Sequence, residues 1–251
     1  RKNRNILFEH MDKIIDNDEN IKIQFLKYIL ETYKYNYDNE IIDRLRLDNI
    51  TLRMIQGMWA HVPQNVIIDN NRGWGKNLPS VEILFKEKIK CIACYRDIPS
   101  IMASWLTLIR KNPNNGVDSD LINRGLEVTD YNRMMLMWDE MVRDCVEALV
   151  CAVKDSPDEI LLVNYDDLCN SPELVLKDIN NFINLNLSYD LNNIDHYTIP
   201  QDDERSWGMS GMHSVRSSLS KVSGDPSEIL GSELHSIFLD IDTEMRKMLG
   251  K

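Results

Sequence analysis

No stretch of the sequence approaches the roughly 18 to 20 consecutive apolar residues needed to cross a bilayer, and the basic start Arg1-Lys2-Asn3-Arg4 is not followed by the apolar core of a signal peptide. A soluble chain without a membrane span is expected. Cysteine is scarce. Cys91, Cys94, Cys145, Cys151 and Cys169 sit in apolar periodic stretches, not in the loop-rich framework of a secreted disulfide scaffold, which points to a reducing, cytoplasmic setting. Cys91 and Cys94 form a C-x-x-C pair, but in a strand residues three apart face opposite ways, so packing is favoured over zinc or redox use. Basic residues are in deficit, 29 Lys+Arg against 40 Asp+Glu, for a net charge of −11. Such a surface repels polyphosphate backbones unless its bases gather in one patch, which argues against a general nucleic-acid binder. Internal repeats and low-complexity tracts are lacking.

What is present is an ordinary globular composition, 43% hydrophobic and 27% charged over 251 residues, enough to bury a sizeable core. A single domain over 1–251 is expected: a helical segment 1–62, a strand/helix core 63–187, and a C-terminal loop and helix 188–251. In the first segment Ile21, Phe25, Leu26, Ile29 and Leu30 recur at helical spacing, as do Ile41, Leu45, Ile50, Met54 and Ile55. Val66-Ile67-Ile68 then reads as a buried strand ending in the turn-rich Asp69-Asn70-Asn71-Arg72-Gly73. A helix follows over 77–86.

The run 89–95 predicts a second strand, stopped by Arg96-Asp97-Ile98-Pro99, after which Ile101, Met102, Trp105 and Ile109 resume helical spacing. Residues 112–120, rich in Asn and Gly, read as a loop. A long amphipathic helix over 130–153 carries Met134, Met137, Trp138, Met141, Val142, Cys145 and Leu149 as core. Ile160 to Val163 predicts a third strand ending at Asn164-Tyr165-Asp166-Asp167. Ser171-Pro172-Glu173 opens a helix to about residue 183, and Asp225-Pro226-Ser227-Glu228 caps a terminal helix to about 249. The polar stretch 188–221 lacks periodicity and reads as a functional surface segment.

Nearly all-apolar strands alternating with helices imply a helix-rich α/β fold whose parallel sheet is covered on both faces. Ligands gather at the carboxyl ends of such strands, so Asp69 to Arg72, Arg96-Asp97 and Tyr165-Asp166 are expected to share one rim. Arg96 at a strand end and Ser104 eight residues on offer a forked cation and a neutral donor to one phosphate; apart from that pairing, they read equally as a cap and a surface hydroxyl.

The segment from Lys90 to Trp105, with Arg96 and Ser104 eight apart, resembles the 3′-phosphate-binding strand-turn-helix of sulfotransferases that use 3′-phosphoadenosine-5′-phosphosulfate (PAPS), which have a P-loop-type fold. Asn164-Tyr165-Asp166-Asp167-Leu168 with Ser171-Pro172-Glu173 resembles the family element whose Tyr lies near the adenine. Val66 to Trp74 is similar to its substrate-side strand and turn, especially in a marine bacterial and phage branch. Trp207 to Arg216 resembles that branch's closing Gly-x-x-Gly-x-His-x-x-Arg loop. The resemblance covers roughly residues 64–249 and implies that the family's Pro-x-Ser-Gly-Thr-Thr phosphosulfate loop, absent after Arg1, lies in about 20 to 30 further residues upstream, the length of one βα unit.

The resemblance implies PAPS as co-substrate, with no metal. Arg96, Ser104 and Arg216 are implied to hold its 3′-phosphate, with Tyr165 beside the adenine and His213 orienting the loop. Arg72 is the candidate cation near the transferred group, and Asp69 is a candidate base at the right strand end, although an acid there is more often a turn residue. The acceptor stays open among hydroxyls or amines of a carbohydrate, lipid or small metabolite, as does the oligomeric state. Two other classes compete. One is a P-loop small-molecule kinase, with Asp97 pressed into Mg²⁺ binding; the other is a degenerate, non-catalytic nucleotide-binding protein.

Overall fold

The computed structural model describes residues 50–54, 74–191, 208–210, 219 and 224–250. The chain falls into two compact units, Arg1–Ile89 and Lys90–Lys251. In the first, residues 50–54 are helical and helix α1 spans Trp74–Phe85. Leu78, Val81 and Leu84 are buried on it at three-residue spacing, the one-faced burial of an amphipathic helix. The expected strand at residues 66–68, and most of the expected N-terminal helices, lie outside the described residues.

The second unit carries strands β1 (Cys91–Tyr95) and β2 (Ile160–Asn164), which pair in parallel from Cys91↔Ile160 to Tyr95↔Asn164. Parallel neighbours require a crossover. Here its regular elements are all helical: α2 (Ile98–Lys111), α3 (Gly116–Asn123), α4 (Asp130–Met137), one π-helical turn (Trp138–Val142), α5 (Arg143–Asp155) and a 3-10 turn (Pro157–Glu159). After β2 come the short α6 (Tyr165–Asn170), α7 (Pro172–Ile183) and the terminal α8 (Pro226–Met248). The fold is α/β and helix-rich, and its parallel sheet among the described residues is small. Its strands are mostly half-buried, with Cys94 exposed and Val163 buried, so the reading of Cys94 as a buried packing residue is corrected. Burial raises the Cys91 thiol above its ordinary pKa.

The core of this unit is a helical cluster. Met102, Leu106 and Ile109 of α2 pack with Met134 and Met137 of α4 and with Leu234, Phe238 and Met245 of α8. Each such side chain contributes about 1.5–3 kcal/mol when fully buried. The terminal helix thus completes the core begun by α2. It bends at Gly231 (φ 76°, ψ 166°), a conformation that only glycine adopts without strain.

Three sequence expectations need correction. The stretch 112–120 is a turn followed by helix: Asn115 caps α3, its Oδ1 accepting from the Asp118 amide at 2.9 Å, while Val117 and Leu121 bury one face. Two apolar residues four apart gave too weak a period to outweigh the Asn and Gly beside them. The long helix at 130–153 is present but contains a π turn, in which one extra residue shifts the facing of all that follows. Tyr165 to Asn170 form a helix and not merely a strand end, because Asn164 caps it by accepting from the Asp166 amide at 2.7 Å.

Candidate active site

The pairing register places two of the expected residues side by side. Tyr95 and Asn164 are the last paired residues of their strands, so the next residue of each, Arg96 and Tyr165, emerges at the same carboxyl edge. The two side chains meet there: the Arg96 guanidinium carbon lies 4.6 Å from the centre of the Tyr165 ring. That is a cation–π stack, which holds the guanidinium plane without using up its N–H donors. The Arg96 side chain is 16% exposed, its Nε is 3.9 Å from Asp97 Oδ2, and Nε has no hydrogen-bond partner among the described residues. A guanidinium with an unsatisfied inner donor at a strand edge suits an anion.

The helix that follows is closed at its start. Asp97 Oδ1 accepts from the Ser100 amide at 2.8 Å and the Asp97 carbonyl from the Ile101 amide at 3.2 Å. Pro99 has no amide proton. The remaining donor, the Ile98 amide, goes to Asp242 Oδ1 of α8 at 3.0 Å. Helix starts commonly bind anions through such free donors, but in α2 two carboxylates occupy them. An anion at this edge therefore meets side chains. Ser104 stands exposed two turns into α2 between the buried Ala103 and the half-buried Trp105, about 9 Å along the axis from Ile98 at 1.5 Å per residue.

Of the expected site residues, Arg96 and Tyr165 are brought together, and Ser104 is presented outward on the adjoining helix. Asp69, Arg72, His213 and Arg216 lie outside the described residues. Residues 208–210, which precede His213 in the sequence, are anchored: Met209 is 1% exposed in the core, and Ser210 exchanges hydrogen bonds with the Asn112 side chain, its amide donating to Oδ1 at 3.0 Å. Gly208 has φ +61°, and a Cβ there would stand 3.0 Å from the Asn114 carbonyl oxygen, so this turn requires glycine twice over.

Sequence reasoning missed Asp242 and Arg246. Asp242 Oδ2 accepts from Arg246 Nε at 2.6 Å, and that bond holds the Arg246 guanidinium above its ordinary pKa range. A signal was available. Asp242 falls in the stripe Leu234, Phe238, Met245, Leu249, where helical spacing calls for an apolar residue, and an acid there needs partners.

The structure is thus an α/β fold with a small parallel sheet and an aromatic-backed arginine at its carboxyl edge, the edge where ligands gather in such folds. The family model described as Sulfotransferase domain matches residues 77–223, more than half of the chain, so the chain belongs to the sulfotransferase domain family. The matched range contains Arg96, Ser104, Tyr165, His213 and Arg216, whereas Asp69 and Arg72 precede it. A solved structure described as the sulfotransferase domain from the curacin biosynthetic pathway is similar at 14% identity and a TM-score of 0.42, covering 87% of this chain and 77% of that one. No curated protein matches the chain.

Proposed function

We propose that this chain transfers a sulfuryl group from PAPS to a hydroxyl or amine acceptor on a small molecule, carbohydrate or lipid in the cytoplasm. Family membership supports sulfuryl transfer in general. The observation that carries the finer reading is the Arg96–Tyr165 stack at the edge shared by β1 and β2. It pairs a phosphate-reading cation with an aromatic ring beside it, as a 3′-phosphorylated adenosine requires.

In this reading Arg96, Ser104 and Arg216 hold the 3′-phosphate, Tyr165 borders the adenine and His213 orients its loop. Arg72 is the cation near the transferred group and Asp69 the candidate base. The bond from sulfur to the bridging oxygen of the 5′-phosphate breaks as the acceptor's oxygen or nitrogen bonds to sulfur. The acceptor's proton passes to the base, and 3′-phosphoadenosine-5′-phosphate leaves. Charge grows on the bridging oxygen and the transferred group, so positioned cations carry most of the catalysis. The competing kinase reading uses Asp97 to bind Mg²⁺; against it, one Asp97 oxygen caps α2 and the other faces Arg96.

Calorimetric titration with 3′-phosphoadenosine-5′-phosphate, AMP, and ATP plus Mg²⁺ tests the proposal. Metal-independent preference for the 3′-phosphorylated nucleotide is expected. Arg96→Ala should cost that ligand about 2–4 kcal/mol, the scale of a lost charge-assisted pair, and leave AMP nearly unchanged. Equal losses for both ligands would remove Arg96 from the 3′-phosphate, and preference for ATP with Mg²⁺ would favour a kinase.

A further inference from the structure

We infer that Asp242, on the terminal helix, is a positioning residue for the phosphate-reading Arg96; the inference rests on the 3′-phosphate reading of that arginine. Asp242 is 5% exposed within the apolar stripe of α8. Packing alone would favour a leucine or methionine there, and a buried carboxylate is retained only where its oxygens are engaged. Both are: Oδ1 accepts from the Ile98 amide at 3.0 Å and Oδ2 from Arg246 Nε at 2.6 Å.

The partner identifies the role. Ile98 lies two residues past Arg96, and its amide is the first donor of α2. Asp97, between them, has only two oxygens in its side chain. One caps the Ser100 amide and the other faces Arg96 Nε at 3.9 Å. Without Asp242 the buried Ile98 amide would be orphaned and would compete for the Asp97 carboxylate, drawing it from Arg96. With Asp242 in place, the turn holds Asp97 at φ −59°, ψ 137°, and Arg96 leaves the strand aimed across Tyr165.

Arg246 completes the arrangement. Two carboxylates at one helix start would repel an arriving phosphate. Arg246 pairs with Asp242 and also feels the charge of Asp97, so the acids Asp97 and Asp242 are matched by the cations Arg96 and Arg246. The terminal helix thereby contributes to nucleotide selectivity without touching the nucleotide.

The test measures the ratio of affinities for 3′-phosphoadenosine-5′-phosphate and AMP in the full chain, with thermal melts to verify folding. Asp242→Ala should lower the wild-type ratio about tenfold, the equivalent of one charge-assisted hydrogen bond. Asp242→Asn keeps an acceptor for Ile98 but turns an N–H₂ against Arg246, so a loss of about threefold is expected from that milder change. Adding Asp242→Ala to Arg96→Ala should change the ratio no further, because Asp242 acts through Arg96. A purely structural role would lower both affinities together, and that result overturns the inference; so does a wild-type ratio in Asp242→Asn, which decides the matter if Asp242→Ala does not fold. Full additivity with Arg96→Ala also overturns it. A wild-type chain with no preference for the 3′-phosphate overturns both this inference and the reading beneath it, whereas preference in the wild type with unaltered variants overturns only the role of Asp242.

Discussion

Arg96 and Ser104 occupy different physical settings, and their contributions should separate accordingly. The guanidinium is backed by an aromatic ring and largely shielded from water, where a charge-assisted bond to phosphate is worth the most. The Ser104 hydroxyl is exposed on the outer face of α2, so water replaces it at little cost. Ser104→Ala should therefore weaken 3′-phosphoadenosine-5′-phosphate by only about 1 kcal/mol, the net worth of a neutral hydrogen bond, and leave the melting temperature unchanged. Parallel titrations of the Ser104→Ala and Arg96→Ala proteins check this; a serine effect as large as the arginine effect would mean that Ser104 is desolvated by the ligand and holds it more closely than an exposed donor can. At this scale the sequence was informative. The meeting of Arg96 and Tyr165 at one carboxyl edge was legible because each directly follows a strand. Asp242 was not, since its partner is a backbone amide 144 residues away, and no local spacing encodes such a bond.

Between elements, ion pairs fasten α2, α3 and α4 together. Arg133 of α4 grips Asp118 of α3 with two bonds of 2.7 Å and reaches Asp130 at 2.9 Å, while Arg110 of α2 reaches Asp130 at 2.7 Å. The hydrogen bonds from Arg133 hold the Asp118 carboxyl below its usual range. Burial pushes Asp130 up, but the bonds from Arg110 and Arg133 outweigh it and leave that carboxyl lowered as well. A carboxyl whose folded pKa is depressed contributes stability that is present above its unfolded value, near 3.9, and lost as pH falls through the folded value. The melting temperature should accordingly decline below about pH 5, and Asp118→Asn should lower it at pH 7 while making the acid decline shallower. Parallel acid limbs for the two proteins would show that Asp118 does not supply this dependence. Element types were largely legible: β1, β2, α2, α7 and α8 fall where apolar runs and caps indicate. The elements misread were α3 and α6, each started by an asparagine side chain capping a short helix, because asparagine next to glycine or acids carries the same composition as a loop.

For the second unit as a whole, the order of assembly follows from where the core lies. The helix α8 is the last of the described elements, yet it supplies Leu234, Phe238 and Met245 to the cluster that α2 and α4 begin roughly a hundred or more residues earlier. A core whose halves are so far apart in sequence depends on non-local contacts, which the docking of α8 supplies. Phe238 is at the centre of that docking, 0% exposed, its ring centroid 6.2 Å from that of Trp138 on the π turn. Phe238→Ala removes the aromatic contact and opens a cavity between α8 and the crossover helices, a change that costs about 3–5 kcal/mol in a packed interior. Against a total stability of roughly 5–15 kcal/mol for a domain, that is a large fraction. Urea unfolding should show a lower midpoint with an unchanged slope, and the near-ultraviolet signal of Trp138 should weaken in the folded baseline. Because α8 also carries Asp242, the same variant should lose some preference for 3′-phosphoadenosine-5′-phosphate over AMP even where it remains folded. A variant that unfolds earlier but keeps full nucleotide preference would show that the docking of α8 and the aim of Arg96 are separable; loss of both would tie the core to the site through α8.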